Sequence, residues 1–487
     1  MEKDTDAPAG LRWTGHPLVD HGIAALTAFA GRRSPEVLTW EDLDRFVDFA
    51  QRHYLSSDMS KTLGTLFTIN SFLNPSFKSD ERKRERIGEA VGAFRREGDA
   101  SLGPCTFCGR PSVRVLHRDD VPMLLGRSIV NFYPGGRPGL PTCGLCQTSL
   151  HGLVLGAPRC SGRVLVVQAD DADFTLRLVG KWVHDCMRYA SLEQEGGEAP
   201  KISRPRTRVV EALSTVQAEV DSERAFVGVE SGLVAYSLRN GQGPNIEVCT
   251  LPSSVVGFLH KARTQRTSLT WGAIERQAWE RVKRDTSAAD LPADERLQHQ
   301  NYLYEDLFRL PDESARFIRI YFLRNAAGLV RSGDTRLEYQ SVREANLVNW
   351  DLTRLFLQEV LGMEQARIEA IRSLGDRLAE EITEDNHRRL FQRAYSAKRP
   401  GEVRQLLLSA DLERVRRSAS PMLTLEDYLN VFEDGEEMAR VDWRLAWDLV
   451  LIRLIEQLHA EGWLARNKEV VQAVEQGDDM APEDTAD

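Results

Sequence analysis

Two Cys-x-x-Cys pairs constrain this chain more than any other feature. The first is Cys105-Thr106-Phe107-Cys108 and the second is Cys143-Gly144-Leu145-Cys146, with 34 residues between them. A Cys-x-x-Cys turn aims two thiolates at one point, and two such turns complete a tetrahedral four-sulfur site for zinc. Turn-forming residues stand beside each pair: Gly109 and Pro111 after the first, Pro141 before the second, Gly144 inside it. Four thiolates leave no coordination position for water, so the pattern reads as structural zinc, not catalytic zinc. His151, five residues past Cys146, is an alternative ligand for a Cys3His site.

The chain has seven cysteines. Outside the two pairs lie Cys160, Cys186 and Cys249, an odd and scattered set with no disulfide framework. The opening MEKDTDAPAG lacks the basic-then-apolar order of a signal peptide. Together these point to a reducing cytoplasm. No run of 18 apolar residues appears, so no membrane span is expected. A net charge of −10 argues against coating nucleic acid by bulk charge, but it leaves room for local basic patches. Part of the acidity sits in 475–487, which reads as a disordered acidic tail.

The fold expected is α+β and mostly helical. Residues 1–103 form a helical N-terminal region. A helix runs from Pro17, with Leu18, Ile23, Leu26 and Phe29 at helical spacing, and stops at Gly31. A second follows Thr39, an N-cap with Asp42 three residues on, to about Tyr54. Others span about 61–73 and 79–97. Residues 104–165 form the zinc-knuckle region, with short strands at 113–117 and 128–133 and a turn-rich Pro134–Gly139 loop. Residues 166–310 mix helices (174–192, 206–218, 252–263, 270–284, 296–308) with strands near 225–229, 232–239 and 245–250; a further strand, 164–168, precedes them. Residues 311–474 form a C-terminal helical bundle. Its stripes are Ile368, Ile371, Leu374, Leu378, Ile382; then Val403, Leu406, Leu407, Leu412, Val415; then the apolar helix 443–458.

Catalytic signatures are weak. His16, Asp20 and His21 lie close in sequence, and His184-Asp185 resembles the doublet of HD phosphohydrolases; either is a candidate metal site for a nuclease. Basic clusters are the stronger feature. Lys201, Arg204, Arg206 and Arg208 are nearly undiluted by acid, and so are Lys261, Arg263 and Arg266. Arg388, Arg389 and Arg393 lead a third series that runs through Lys398, Arg399 and Arg404 to Arg417. Several such clusters on an acidic chain suggest a path for nucleic acid.

Two stretches carry a resemblance. Trp13 to Leu26 (WTGHPLVDHGIAAL) looks like the opening of the large subunit of type I CRISPR surveillance (Cascade) complexes, in the Cst/DevT-like branch of subtypes I-A and I-B. Asn131-Phe132-Tyr133-Pro134-Gly135-Gly136, through Gly139-Leu140-Pro141 into Cys143 and Cys146, is similar to the same branch. The resemblance covers about 70 residues and implies a non-catalytic role in antiviral defence. Such subunits recognise a protospacer-adjacent motif in duplex DNA, help open it and steady the R-loop. The partners implied are crRNA, target double-stranded DNA, the Cascade backbone and small subunits, and a separate helicase-nuclease; base pairing, not protein, reads the target. Their C-terminal bundle is similar to the small subunit. Asn131, Gly135, Gly136 and Arg137 become candidate DNA contacts, because glycines admit a close backbone and Asn or Arg reads base edges. The competing readings are a stand-alone zinc-containing nucleic-acid-binding regulator and a metal-dependent nuclease.

Overall fold

The computed structural model describes residues 6–68, 76, 79–124, 139–223, 230–241, 243–283, 285–326, 334–418, 421–432, 440 and 442–476. The expected strands at 128–133 and 225–229 and the tail beyond 476 lie outside them. The fold is mostly helical α+β, as expected. Two compact units account for the chain: residues 1–256 with 291–300, and residues 257–290 with 301–487.

In the first unit the helices are α1 (Pro17–Phe29), α2 (Trp40–His53), α3 (Ser57–Leu66) and α4 (Asp80–Val91). The Thr39–Asp42 capping box is present in both directions at the start of α2. Strand β1 (Arg114–Leu116) pairs antiparallel with β2 (Leu140–Thr142), Val115 opposite Pro141. Helix α5 (Gly144–Gly156) follows at once; it was not expected, and every residue of it is buried. Its sequence, GLCQTSLHGLVLG, has no polar face, so no helical period shows. After it come β3 (Arg159–Cys160), β4 (Arg163–Ala169), α6 (Ala172–Gln194), α7 (Pro205–Glu223), β5 (Leu233–Arg239) and β6 (Asn245–Leu251); α8 (Ser253–Thr264) starts in this unit and belongs from Gly257 on to the second. The four strands β3 to β6 form one antiparallel sheet in chain order. Asn240, fully buried in the β5–β6 turn, ties that turn to residues 118–123: it donates to the Arg118 carbonyl and accepts from the Met123 N–H.

Helix α1 packs against α5, α6 and β4. The crossing with α5 brings backbone onto backbone: a Cβ on Gly22 would lie 1.8 Å from the Ser149 carbonyl oxygen, and one on Gly152 would lie 2.8 Å from that of Gly22. Gly144, Thr148, Gly152 and Gly156 recur every fourth residue along α5, and this small-residue stripe is what permits the approach.

The second unit holds α9 (Ser268–Gln277), a hairpin of β7 (Arg281–Lys283) and β8 (Thr286–Ser287), α11 (Tyr302–Leu307) and α12 (Ser314–Phe317); α10 (Ala293–Arg296) belongs to the first. Two expectations fail here. The helix expected over 270–284 ends at Gln277, with Lys283 paired to Thr286 in the hairpin. The helix expected over 296–308 breaks because Asn301 turns its side chain on the backbone: it accepts from the Leu303 and Tyr304 N–H groups and donates to the Glu275 carbonyl. Beyond lie α13 (Trp350–Glu359), α14 (Gln365–Glu384), α15 (Arg388–Ser396), α16 (Pro400–Arg416), α17 (Leu425–Phe432), α18 (Trp443–Ala460), α19 (Trp463–Arg466) and α20 (Lys468–Gln476). The α14 stripe is buried as expected, against α18. On α16 only Val403, Leu406, Leu407 and Ala410 are buried, while Leu412 and Val415 are exposed. Leu412 is nine residues past Val403, two and a half turns, which puts it on the opposite face.

Candidate metal centre

The two cysteine pairs do meet. One sulfur from each of Cys105, Cys108, Cys143 and Cys146 falls within 4.8 Å of all the others, in a group that could hold a metal ion. The Cys108 and Cys143 sulfurs are 3.4 Å apart, far beyond the roughly 2.0 Å of a disulfide. Tetrahedral zinc–thiolate bonds of roughly 2.3 Å would put sulfurs about 3.8 Å apart, so the spacing suits such an ion.

Each pair is shaped locally. At the first, the Cys105 N–H donates to the Arg110 carbonyl (2.7 Å) and the Gly109 N–H to the Cys105 carbonyl (2.9 Å). Gly109 sits at φ +78°, a left-handed turn that glycine takes without strain. At the second, Cys143 is the N-cap of α5, and the Cys146 N–H points at its sulfur (3.5 Å). The pairs are stitched to each other as well. The Thr106 N–H donates to the Pro141 carbonyl (2.9 Å) and the Val113 N–H to that of Thr142 (2.9 Å). Cys105, Cys143 and Cys146 are buried and Cys108 is partly exposed. Without a cation the sulfurs compete for protons. Hydrogen bonds from Cys108, Cys143 and Cys146 hold the Cys105 thiol far below its usual range. Cys146, bonded to Cys105, Cys108 and Cys143 and buried, is pushed far above it. A cation is what would let all four ionise together.

His151 does not join the cluster. It is buried beside Phe67, ring centroids 5.0 Å apart, and its carbonyl accepts from the Tyr54 hydroxyl (2.7 Å). The His16/Asp20/His21 candidate is also corrected. Asp20 accepts from the Thr14 and Gly15 N–H groups and the Thr14 hydroxyl, closing the turn before α1. His21 bridges the Gly156 carbonyl (2.9 Å) and the Val167 backbone (3.1 Å). His16 lies edge-on to Phe107 of the first pair (4.8 Å). Asp185 of the His184-Asp185 doublet is an ion-pair partner of Arg208. Among the described residues neither set forms a metal group; besides the four cysteines, only Glu381, Asp385 and His387 do, and Glu381 and Asp385 already face Arg417.

The basic candidates divide sharply. Arg206 pairs with Glu247 (2.9 Å), Lys261 with Glu359 (2.7 Å) and Arg263 with Glu275 (2.6 Å), so each of these charges already has a carboxylate of the chain against it. Arg204 is exposed with no ion pair among the described residues. Arg388, Arg389 and Arg393 on α15 and Arg404 and Arg416 on α16 are likewise exposed and free of carboxylate partners among the described residues; Arg393 reaches only the Ser409 hydroxyl (3.3 Å). Asn131, Gly135, Gly136 and Arg137 lie outside the described residues.

Composition and motif reading missed the contacts that seat the cluster. The Arg12 guanidinium donates to the Cys108 carbonyl (3.1 Å), and Arg110 reaches back to the Gly10 carbonyl. The small-residue stripe of α5 was the available signal. No helix among the described residues is long and apolar enough to cross a membrane. No protein-family model matches the chain, and comparison with curated proteins gives no match.

Proposed function

We propose that this chain is a non-catalytic, zinc-containing large subunit of a crRNA-guided type I CRISPR complex, reading the protospacer-adjacent motif in duplex DNA and recruiting the helicase-nuclease. The observation that carries the reading is spatial. The first stretch of resemblance, Trp13–Leu26, lies against the zinc-knuckle region: His16 is edge-on to Phe107 of the first cysteine pair, and Gly22 beds on Ser149 of α5, three residues past Cys146. Residues that serve one shared site are expected to meet in this way. The five arginines of α15 and α16 without a carboxylate partner among the described residues supply a surface for phosphates. In this reading zinc, held by Cys105, Cys108, Cys143 and Cys146, ties the base of the 109–142 excursion. The excursion's Asn131, Gly135, Gly136 and Arg137 then approach DNA already ordered.

The test is purification of the chain from cells that make it at native level. Guide RNA of uniform length and a repeated backbone subunit should come with it, and Arg137→Ala should weaken motif-dependent gel shifts by the assembled complex without loss of assembly. A chain that purifies free of RNA and of other subunits would refute the proposal.

A further inference from the structure

Leu408, Leu412 and Val415 of α16 are 56%, 59% and 55% exposed. They stand at i, i+4 and i+7, so they form one apolar ridge along the helix. Arginines flank it. Helical spacing puts Arg404 and Arg416 on either side of the ridge, and Arg393 of α15 donates to the hydroxyl of Ser409, the residue after Leu408 (3.3 Å). Arg389 stands one turn before Arg393 on the same face of α15. All four are exposed, with no carboxylate partner among the described residues. The acids of α16 are engaged elsewhere: Asp411 accepts from the Met422 N–H, Glu402 pairs with Arg399 and Glu413 with Arg417. Helix α15 has no acid at all. The face is therefore apolar along its middle and cationic at its margins.

One segment of this chain carries the complementary pattern. Residues 477–487, GDDMAPEDTAD, hold five carboxylates and no cation. The acidic pairs Asp478-Asp479 and Glu483-Asp484 bracket Met480, Ala481 and Pro482, an apolar middle between charged margins. The segment also starts nearby. It follows α20, which packs on α15. Asn467, just before α20, donates to the side chain of Asn386, just before α15 (3.0 Å). The C-terminal end of α16 lies at the same place, with Arg417 beside His387 (3.3 Å). Helices α15 and α20 have nine residues each and are about 14 Å long. The eleven residues of 477–487 extend up to about 36–40 Å, enough to run from the end of α20 onto the ridge. A second copy of the chain is a poorer occupant, because it would meet this face with the same arginines.

We propose that residues 477–487 dock on the α15–α16 face of their own chain, the carboxylates against Arg389, Arg393, Arg404 and Arg416 and the Met480–Pro482 middle against the ridge. Guanidinium forks match carboxylates in geometry as well as charge. The tether lets a weak contact suffice: at an effective concentration of about 1 mM, a contact with a Kd of about 0.1 mM is roughly nine-tenths closed. Docking needs no nucleic acid. Its consequence, that the segment competes with phosphates for the same arginines, rests on the function proposed above.

The experiment uses the full chain with its metal and a fluorescent peptide of sequence GDDMAPEDTAD, followed by anisotropy at low salt. Two receptors are compared: the native chain, and the full chain neutralised by Asp478→Asn, Asp479→Asn, Glu483→Gln, Asp484→Asn and Asp487→Asn. The peptide should bind the neutralised chain, and bind the native chain roughly tenfold more weakly because its own segment holds the face. In the neutralised chain, Arg389→Gln, Arg393→Gln and Arg416→Gln together should weaken the peptide at least tenfold, and Leu408→Ser with Leu412→Ser roughly threefold; all five positions are exposed, so the fold is kept. The proposal is overturned if the peptide binds neither chain, if it binds both equally, or if either set of substitutions leaves its affinity unchanged. Dodecathymidylate bound equally by both chains, with no peptide bound to either, would assign the face to nucleic acid alone. Peptide binding as expected, with no nucleic acid bound by either chain, would uphold the docking and count against the function proposed above.

Discussion

Replacing Gly22 with alanine tests the packing that seats the cysteine cluster. The added methyl would lie 1.8 Å from the Ser149 carbonyl oxygen and 2.6 Å from its carbon, both main-chain atoms that cannot turn aside. Restoring an ordinary contact requires α1 and α5 to part by roughly 1.5 Å, enough to forfeit half or more of the dispersion energy along the crossing. Overpacking of this kind costs about 1–3 kcal/mol, and a backbone-on-backbone clash belongs at the upper end. Alanine's better helix propensity returns about 1 kcal/mol, so the net loss is about 2 kcal/mol. For a unit of this size that lowers the midpoint by roughly 4–8 °C. Gly64→Ala in α3 is the control. Nothing lies within 4 Å of its added methyl, so only the propensity gain applies and the midpoint should hold or rise. The assay is thermal unfolding of both variants beside the parent, with zinc release to a chelator followed in parallel. Gly22→Ala should also give up metal faster, because α5 carries Cys143 and Cys146. A Gly22→Ala protein as stable as Gly64→Ala would refute the reasoning.

Further outcomes are as direct. Cys143→Ser should lose its equivalent of zinc by elemental analysis and expose residues 99–124 to limited proteolysis; a variant with full metal content would count against a four-sulfur site. Burial first, then the charges of Arg114 and Arg86, holds His151 down to about 3, against 6.5 when unfolded. The unfolded chain therefore takes up the proton that the folded one refuses. The His151 contribution is fully present above pH 6.5 and is lost as pH falls toward 3, by up to about 1.4 kcal/mol per unit. Denaturant titrations of His151→Leu should show a correspondingly flatter dependence in that window. Alanine at Arg388, Arg389 and Arg393 together should leave stability unchanged while lowering the salt slope of nucleic-acid binding by up to about 3. Arg263→Ala should do the reverse, costing about 1–3 kcal/mol because Glu275, 15% exposed, loses its ion-pair partner, with no specific effect on binding.

The cysteine cluster was legible because two turns with fixed spacing leave the thiolates few places to go. Capping was legible too: Thr39 and Asp42 make the reciprocal bonds their spacing announces. Helix α5 was not, because a helix buried on all sides shows no period; only its every-fourth small residues hint at it. The helix expected over 296–308 failed at Asn301, whose side chain wins the backbone groups a continuous helix would have used. Charge runs were the least reliable guide. Lys261 and Arg388 look alike in sequence, and only the fold shows that the first faces Glu359 while the second faces solvent.

The crossing of α1 on α5 also sets a schedule. Residues 17–29 emerge during translation well before 144–156, the segment that covers them. At roughly 5–20 residues per second the ribosome needs on the order of ten seconds to supply it. For that interval the nascent chain carries Val19, Ile23 and Leu26, fully buried later, with nothing over them. The four sulfurs cannot assemble before Cys146 appears either, so closure of the cysteine cluster and shielding of this first helix wait for the same segment of chain.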